Sequence, residues 1–240
     1  MDSDAADFAT GAPDAIRSRL ALALDVDDLV EARRLARLLQ PWFGVAKVGL
    51  ELYTAAGPEA VAAMRDTGFA VFADLKLLDI PTTVNKAARV VGSLGATYLT
   101  VHTRAGADHL RAGVDGFADG AAAGGFPAPT CLGITVLTSE QADAAALEHR
   151  VGVVVESGCG GLVCAASDLT AVRSLAPDVV TVVPGIRPAG VAANDQARPA
   201  TPTTAIADGA DVLVIGRAVT HAADPAAAAA AIVAEVARAV

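Results

Sequence analysis

The amino-acid sequence predicts an α/β protein built as one (β/α)₈ barrel, the TIM-barrel fold. From residue 21 onwards, eight short apolar runs alternate with amphipathic segments, which is typical of parallel strands separated by helices. The 240 residues are 53% hydrophobic but only 4% aromatic. A core of small and branched aliphatic side chains suits packed layers of helices and parallel strands, and this length is normal for a single barrel.

The predicted strands are rich in Val, Leu, Ile and Ala, and they occupy residues 21–26, 45–52, 70–78, 98–103, 130–138, 161–167, 179–186 and 211–217. Between them, helical periodicity is clearest in residues 27–40, 57–68 and 82–95. Near the C-terminus, Asp224 and Pro225 are typical of a helix N-cap followed by the first helical position. A doubly wound open sheet is the competing fold, but the GxGxxG fingerprint that it normally carries does not follow the first strand.

Three segments lack strong periodicity. Residues 1–19 form an acidic tail that we expect to be flexible, and residues 20–240 form the barrel domain. Residues 116–130 are rich in Gly, Ala and Pro and are expected to form a loop. Residues 187–202 follow the seventh strand, where such a segment is either a mobile loop or a lid.

Composition and charge exclude several classes of protein. The net charge of −9 argues against a nucleic-acid or membrane-binding surface, because both need a basic field. The N-terminus lacks the basic start and apolar stretch of a signal peptide, and the Ala-rich C-terminal end is too short and too charged to cross a bilayer. Cys131, Cys159 and Cys164 lie in or beside apolar segments without CxxC spacing, so we expect buried thiols. These features predict a cytoplasmic protein.

Three charged residues lie in and beside the third predicted strand. Side chains alternate along a strand, so Asp74 and Lys76 face one side and the leucines that follow them face the other. If the leucines pack on the outer helices, the charged pair lies inside the barrel near its C-terminal mouth, with Asp79 just past the strand. Active sites of (β/α)₈ barrels lie at this mouth, so the pair is a candidate catalytic site.

Two further charges belong to the same predicted mouth. Asp25 ends the first strand and Lys47 lies in the second, so Asp25, Lys47, Asp74 and Lys76 would meet there with alternating sign. The chain has only three lysines against fifteen arginines, and two of the three lie in predicted strands, which indicates a specific task for them. Removing these charges from water costs several kcal/mol per ion, so folding does not explain them. A buried ion-pair network without chemistry is the alternative interpretation.

The ends of the last two strands predict an anion site. The loops after the seventh and eighth strands of a (β/α)₈ barrel often bind phosphate, through backbone N–H groups and the forked donors of arginine. Gly216 and Arg217 close the eighth predicted strand, and Arg187 and Gln196 follow the seventh. Either motif alone is as typical of a turn with a surface arginine as of a phosphate site. Two such motifs at consecutive strand ends favour a phosphate site.

Seven motifs follow one another along the chain, namely LALDV, VAKVGLEL, FADLKLLDIPTTV, VLTS, PGIRP, NDQ and VIGRAVT. In order and spacing, they resemble the motifs of the orotidine 5'-phosphate decarboxylase family. The resemblance runs from about residue 20 to the C-terminus, and its Asp-x-Lys-x-x-Asp-Ile-Pro core is highly specific. It implies a homodimer that decarboxylates orotidine 5'-monophosphate (OMP) to UMP in pyrimidine biosynthesis, without a metal or an organic cofactor. One departure is Leu78, where the family usually has His. That change concerns the packing of the motif, since proton transfer is assigned elsewhere.

The resemblance implies catalytic roles that agree with the chemistry of the side chains. Loss of CO₂ from C6 leaves an electron pair that the ring π system does not delocalise, so the barrier must fall through electrostatics and positioning. Lys76 can stabilise this carbanion and then protonate it. Asp74 would oppose the ground-state charge of the substrate carboxylate. Asp79 is implied to enter the active site of the neighbouring subunit, which would make the dimer necessary for catalysis.

The other site residues are implied to bind the substrate. Asp25 and Lys47 would contact ribose hydroxyls, and Lys47 would also keep the charges aligned. Ile80 and Thr83 would enter the neighbouring site with the aspartate, and Thr138 would bind the pyrimidine edge. The predicted phosphate ligands would supply remote binding energy that offsets the repulsion between the two carboxylates.

Two rival functions remain on sequence grounds. Hexulose-phosphate synthases and keto-gulonate-phosphate decarboxylases share the Asp-x-Lys-x-x-Asp pattern but use Mg²⁺, with a Glu ligand near the end of the second strand. This chain has Lys47 there, and a cation repels Mg²⁺. A catalytically silent barrel that binds a phosphate ligand is the second rival, although a pure binder has no need of Asp74. His102 also ends a strand, and we interpret it as a buried residue of the core or behind the site.

Overall fold

The structure is a computed structural model that describes residues 7–136, 143–188 and 200–240. Its eight strands are parallel, neighbour one another in chain order, and close into a barrel where β1 pairs with β8. The strands are β1 Leu20–Ala23, β2 Val45–Gly49, β3 Ala70–Leu77, β4 Tyr98–His102, β5 Thr130–Ile134, β6 Gly161–Val163, β7 Val180–Val183 and β8 Val212–Ile215. The predicted (β/α)₈ barrel is confirmed.

Helices connect successive strands. They are α1 Asp14–Arg17, α2 Leu29–Leu39, α3 Leu50–Ala56, α4 Pro58–Asp66, α5 Pro81–Ser93, α6 Ala107–Ala123, α7 Ala144–Glu156, α8 Leu169–Leu175, α9 Pro202–Ala207, α10 Arg217–Thr220 and α11 Pro225–Ala237, with 3₁₀ turns at Thr103–Ala105 and Ala166–Asp168. As predicted, Asp224 caps α11 and Pro225 takes its first position. Within the described ranges, no helix combines the length and apolarity that a membrane crossing requires.

The second predicted strand extends too far. β2 ends at Gly49 and α3 begins at Leu50, inside the run predicted as strand 45–52. The helix buries Leu52 completely but leaves Leu50 57% exposed. Because the apolar run passes from strand to helix without a break, hydrophobicity carries no boundary signal there. The other strands also end one to four residues earlier than predicted.

The loop predicted for residues 116–130 is wrong over its first half, because α6 continues to Ala123. Its glycines lie where α6 crosses α5, and a Cβ added at Gly116 or Gly120 would overlap the carbonyl oxygens of Asn85 and Arg89. Glycine lowers the intrinsic preference for helix. Here it allows two backbones to approach closely, so tertiary packing outweighs propensity.

Part of the segment assigned to the tail contacts the barrel. The indole nitrogen of Trp42 donates to the carbonyl oxygen of Phe8 at 2.7 Å, and Arg17 Nε donates to the carbonyl oxygen of Gln40 at 3.2 Å. Ile16 packs against the core. The division of domains at residue 20 and the flexibility of the preceding segment stay predictions.

The barrel interior is apolar at its base and charged at its mouth. Alternation along β2 and β3 places Lys47 and Asp74 on the same inner side as Val45 and Phe72. The Phe72 ring meets that of Tyr98 edge to face, with centroids 6.1 Å apart. This aromatic layer closes the floor beneath the charged residues. The three cysteines are buried free thiols, as expected.

Candidate active site

A cavity of about 250 Å³ opens at the C-terminal mouth of the barrel. It is lined by apolar side chains and by seven predicted residues, which are Asp25, Lys47, Asp74, Lys76, Arg187, Gly216 and Arg217. The four charges from β1 to β3 and the two arginines after β7 and β8 therefore share one pocket. A ligand that spans it would meet the charged row at one part of its surface and guanidinium groups at another.

The row of charges alternates in sign, as predicted. Lys47 Nζ lies 2.9 Å from Asp25 Oδ1 and 3.7 Å from Asp74 Oδ2, and Lys76 Nζ lies 2.7 Å from Asp74 Oδ1. The Lys47 and Asp74 side chains are only 11% and 13% exposed, whereas that of Lys76 is 33% exposed. Lys76 is thus the cation of the row most accessible from the cavity.

Asp74 remains ionised although it is buried. Burial raises the pKa of this carboxyl, but the ammonium groups of Lys47 and Lys76 and the hydrogen bonds from Lys76 and Thr100 outweigh that effect, so its pKa lies below the ordinary value. A permanent negative charge therefore lies between two cations. Burial of this charge is offset by the two flanking ammonium groups, which leaves the charge available for electrostatic work on a ligand.

The backbone at Lys76 is irregular. Lys76 has a φ of 49° and is the only non-glycine residue with positive φ in the described part of the chain. Its N–H donates to Thr100 Oγ1 at 2.9 Å, and that hydroxyl donates to Asp74 Oδ1 at 3.0 Å. Thr100 is not among the predicted site residues. The signal was available, since Thr100 lies two positions before His102 on β4 and so on the same face of that strand.

Arg187 faces the cavity from the end of β7. It is only 7% exposed, and no residue of the described ranges accepts a hydrogen bond from its guanidinium group. Its backbone N–H donates to the carbonyl oxygen of Ala200 at 2.9 Å, which ties together the two ends of the segment after β7. A buried cation with unused donors suits an anionic ligand.

Comparisons with known proteins agree with this geometry. Residues 18–232 match the model of the family described as "Orotidine 5'-phosphate decarboxylase / HUMPS family". The chain belongs to this family. The resemblance inferred from the motifs is thereby confirmed.

Members of the decarboxylase family resemble the chain over most of its length. The orotidine 5'-phosphate decarboxylase of Anaeromyxobacter sp. (strain K) is 46% identical over 228 residues, which cover 90% of this chain and 97% of the relative. That of Moorella thermoacetica is 43% identical over 235 residues, or 92% of each chain. The crystal structure of the enzyme from Lactobacillus acidophilus superposes with a TM-score of 0.79 at 31% identity, covering 90% of this chain and 98% of that one.

The other five predicted site residues lie away from this cavity or outside the described residues. Thr138 and Gln196 fall outside the described ranges. Asp79, Ile80 and Thr83 are exposed and do not line the cavity of their own chain. Asp79 Oδ1 accepts the N–H of Ile80 at 2.6 Å, which fixes the turn between β3 and α5.

His102 lies at the end of β4 and is 6% exposed, in keeping with the interpretation as a buried residue. Burial, reinforced by the positive charges of Arg104, Arg150 and Lys76 and by His109, lowers the pKa of His102 to about 4. Its Nδ1 is buried without a hydrogen-bond partner in the described residues. The imidazole is therefore neutral at neutral pH and does not line the cavity.

Proposed function

We propose that the protein is an orotidine 5'-monophosphate decarboxylase, a carboxy-lyase that converts OMP to UMP and CO₂ in de novo pyrimidine biosynthesis. The observation that carries the proposal is the presence of the Lys76–Asp74 pair and of two arginines in one cavity. A nucleotide with a carboxylate at one end and a phosphate at the other matches this distribution of charge. Membership of the family and the names of the relatives support the same activity.

Lys76 carries the chemical step in this proposal. When CO₂ leaves C6, the remaining electron pair lies in the plane of the ring, so no covalent electron sink is available and a nearby positive charge must stabilise it. The ammonium group of Lys76 lies on the cavity wall, where it can stabilise the carbanion and then donate its proton to C6. Deprotonated Lys76 regains a proton from solvent through the open side of the cavity.

Asp74 acts on the ground state of the substrate. Its ionised carboxylate would lie beside the carboxylate of OMP, and this repulsion disappears when neutral CO₂ departs. Lys47 and Lys76 flank Asp74 at 3.7 and 2.7 Å, so the charge is held in place before substrate arrives. Asp25 and Lys47, which are joined by a 2.9 Å hydrogen bond, would contact the ribose hydroxyls.

The phosphate supplies the binding energy that holds an anion next to Asp74. Arg187 and Arg217, with the backbone at Gly216 and the side chain of Gln196, are the proposed phosphate ligands, and Thr138 is the proposed partner of the pyrimidine edge. The buried position of Arg187 supports this assignment, as does the lack of an acceptor for its guanidinium group among the residues that the structure describes. Binding energy from a part of the substrate that does not react can lower the barrier at the part that does.

We also propose that the enzyme acts as a homodimer in which Asp79, Ile80 and Thr83 complete the neighbouring active site. The turn after β3 supports this, since it exposes 50% of Leu78 and 66% of Ile80 at the rim of the mouth. Exposed large apolar side chains in such a position favour an interface. Asp79 would then join the row of charges of the partner rather than that of its own chain.

No metal or organic cofactor enters this mechanism. In the Mg²⁺-dependent members of the family, a Glu ligand is expected where this chain places Lys47, whose ammonium group lies between two carboxylates. An ammonium in that place occupies the carboxylates and repels a divalent cation. The cytoplasmic location stays a prediction from the sequence.

The proposed function is tested by following the loss of OMP absorbance with EDTA present. We expect rapid turnover by the parent and almost none by Lys76→Ala. The control is Arg34→Ala, which removes an exposed cation paired with Glu31 on α2 and is expected to retain full activity. No turnover by the parent would refute the function, equal turnover by Lys76→Ala would refute the role of Lys76, and loss of activity in EDTA would favour the Mg²⁺-dependent chemistry.

A further inference from the structure

Thr100 lies at the junction of the two groups that the proposed mechanism depends on. It is on β4, its exposure is 0%, and it does not line the cavity. A hydroxyl group donates one hydrogen bond and can accept others. The hydroxyl of Thr100 accepts the N–H of Lys76 at 2.9 Å and donates to Asp74 Oδ1 at 3.0 Å.

The pairing of β3 with β4 is interrupted at this point. Ala73 pairs with Leu99 and Leu77 pairs with Val101, so the three residues 74–76 of β3 lie opposite Thr100 alone. Such a bulge leaves backbone groups of the longer strand without partners in the ladder. A buried N–H without a partner costs about 1–3 kcal/mol, and the hydroxyl of Thr100 satisfies that of Lys76.

The bulge also contains strain. Lys76 has a φ of 49°, a conformation that costs a non-glycine residue about 1–3 kcal/mol and persists only where the surroundings enforce it. The hydrogen bond from its N–H to Thr100 is one such constraint, and the hydrogen bond from its Nζ to Asp74 is another. Both hydrogen bonds belong to one network, because Asp74 Oδ1 also accepts a hydrogen bond from the Thr100 hydroxyl.

We propose that Thr100 is a positioning residue for decarboxylation. Its hydroxyl holds the Lys76 backbone in the left-handed conformation and fixes Asp74 Oδ1, so that ammonium and carboxylate keep one relative position before substrate binds. Thr100 touches neither the substrate nor the reacting atoms. This inference rests on the proposed function for its kinetic consequences, and on the geometry of β3 and β4 for its structural ones.

Threonine suits this task better than its close relatives. The branch at Cβ restricts χ1 and so aims the hydroxyl. Val has the same shape without the hydroxyl, and Ser has the hydroxyl without the branch. Thr100→Val should therefore lose the effect, and Thr100→Ser should retain much of it.

The test compares Thr100→Val and Thr100→Ser with the parent in three measurements. In Thr100→Val we expect kcat for OMP to fall by about 10- to 100-fold, the scale of a misplacement of about 1 Å at a catalytic group. The Kd for the product UMP, measured by calorimetry, should stay within about twofold of the parent value, which is the usual variation between sites that do not interact. In Thr100→Ser, kcat should return towards the parent value. A merely structural role would change kcat and Kd together and would not be rescued by the hydroxyl.

Crystal structures separate this inference from the proposed function. In Thr100→Val we expect the φ of Lys76 to leave the left-handed region, or its Nζ to leave Asp74, whether or not the parent decarboxylates OMP. Unchanged geometry at Lys76, or a kcat equal to that of the parent, would overturn the role of Thr100. If Thr100→Val does not fold, Thr100→Ala removes the same hydroxyl without placing a second methyl group beside the Asp74 carboxylate, and it carries the same predictions.

Discussion

Replacing Asp74 by Asn removes the negative charge between Lys47 and Lys76. Asn retains a carbonyl oxygen that can accept hydrogen bonds from Thr100 and Lys76, so the shape of the site is largely kept. What changes is the electrostatics, because two ammonium groups then face a neutral group. We expect both the free energy of unfolding and the turnover of OMP to fall.

The size of the effect on stability follows from the distances. At an effective dielectric constant of about 20, the attraction is about 6 kcal/mol for the 2.7 Å pair with Lys76 and about 4.5 kcal/mol for the 3.7 Å pair with Lys47. Desolvation of the charged groups opposes these attractions by several kcal/mol per ion. The net expectation is the loss typical of breaking a buried pair, about 3–5 kcal/mol in the free energy of unfolding.

The assay is urea unfolding of the parent and Asp74→Asn over a range of pH. Because its folded-state pKa is lowered, Asp74 stabilises the fold fully above its ordinary pKa of about 3.9 and loses this contribution as the pH falls through the folded-state pKa. The difference between the two proteins should therefore be constant from about pH 5 to 8 and should shrink below about pH 4.

The matched control is Asp119→Asn, which breaks an ion pair with Arg89 whose side chains are both more than half exposed. Its free energy of unfolding should change by less than about 1 kcal/mol. An Asp74→Asn variant as stable as the parent at pH 7 would show that the carboxylate is not held by net attraction. A stability of the parent that rises relative to Asp74→Asn as the pH falls towards about 4 would show that the folded-state pKa is raised rather than lowered.

Four further predictions concern separate parts of the molecule. Arg187→Ala should lower kcat/KM for OMP by about 10- to 100-fold, which corresponds to the free energy of a charge-assisted hydrogen bond. In the same steady-state assays, the turnover of orotidine should not change, because orotidine lacks the phosphate. Mixing inactive Lys76→Ala with inactive Asp79→Ala should restore up to about a quarter of the parent activity, because half of the randomly formed dimers then contain one intact site. Arg173 donates to Asp211 and to four further acceptors and joins the N-terminal ends of β7 and β8, so Arg173→Lys should lower the free energy of unfolding by about 1–3 kcal/mol in urea without changing KM. NMR titration should give a pKa near 4 for His102, and since this is below the ordinary value, His102 should reduce stability progressively as the pH falls from about 6.5 to 4.

Each of these predictions has an outcome that contradicts it. An equal loss with OMP and orotidine would place Arg187 away from the phosphate. Mixed dimers without activity would mean that both residues serve the same chain's site. A changed KM in Arg173→Lys would show that this end of the barrel influences the mouth, and a pKa of 6.5 for His102 would show that water reaches its ring.

Several features of the site followed from periodicity alone. The alternation of side chains predicted that Asp74 and Lys76 face the same cavity, which the structure shows although the bulge interrupts the alternation between them, and the closed order of strands brought Lys47 beside them. These predictions succeed because a parallel barrel has one interior and one functional end, so strand position determines where a side chain points. The Asp-x-Lys-x-x-Asp-Ile-Pro motif then indicated the family.

Other features depend on contacts between distant segments. Glycines that predicted a loop at residues 116–123 form helix, because α6 approaches α5 closely at Gly116 and Gly120. Leu78 replaces a histidine expected from the family, and only the structure shows that it is half exposed at the rim. The local sequence does not predict these features, since each depends on which residues of distant segments lie beside it in the folded chain.

By itself the sequence determined the eight-strand order, the inner row of charges and the family, because each depends on the spacing of residues along one chain. The tertiary structure decided that Lys76 takes a left-handed backbone, that Thr100 bridges it to Asp74, and that Asp74 stays ionised despite burial. The bulge in β3 arises where three residues pair with one on β4. Pairing, burial and the field of neighbouring charges are properties of the assembled barrel, which no single strand possesses.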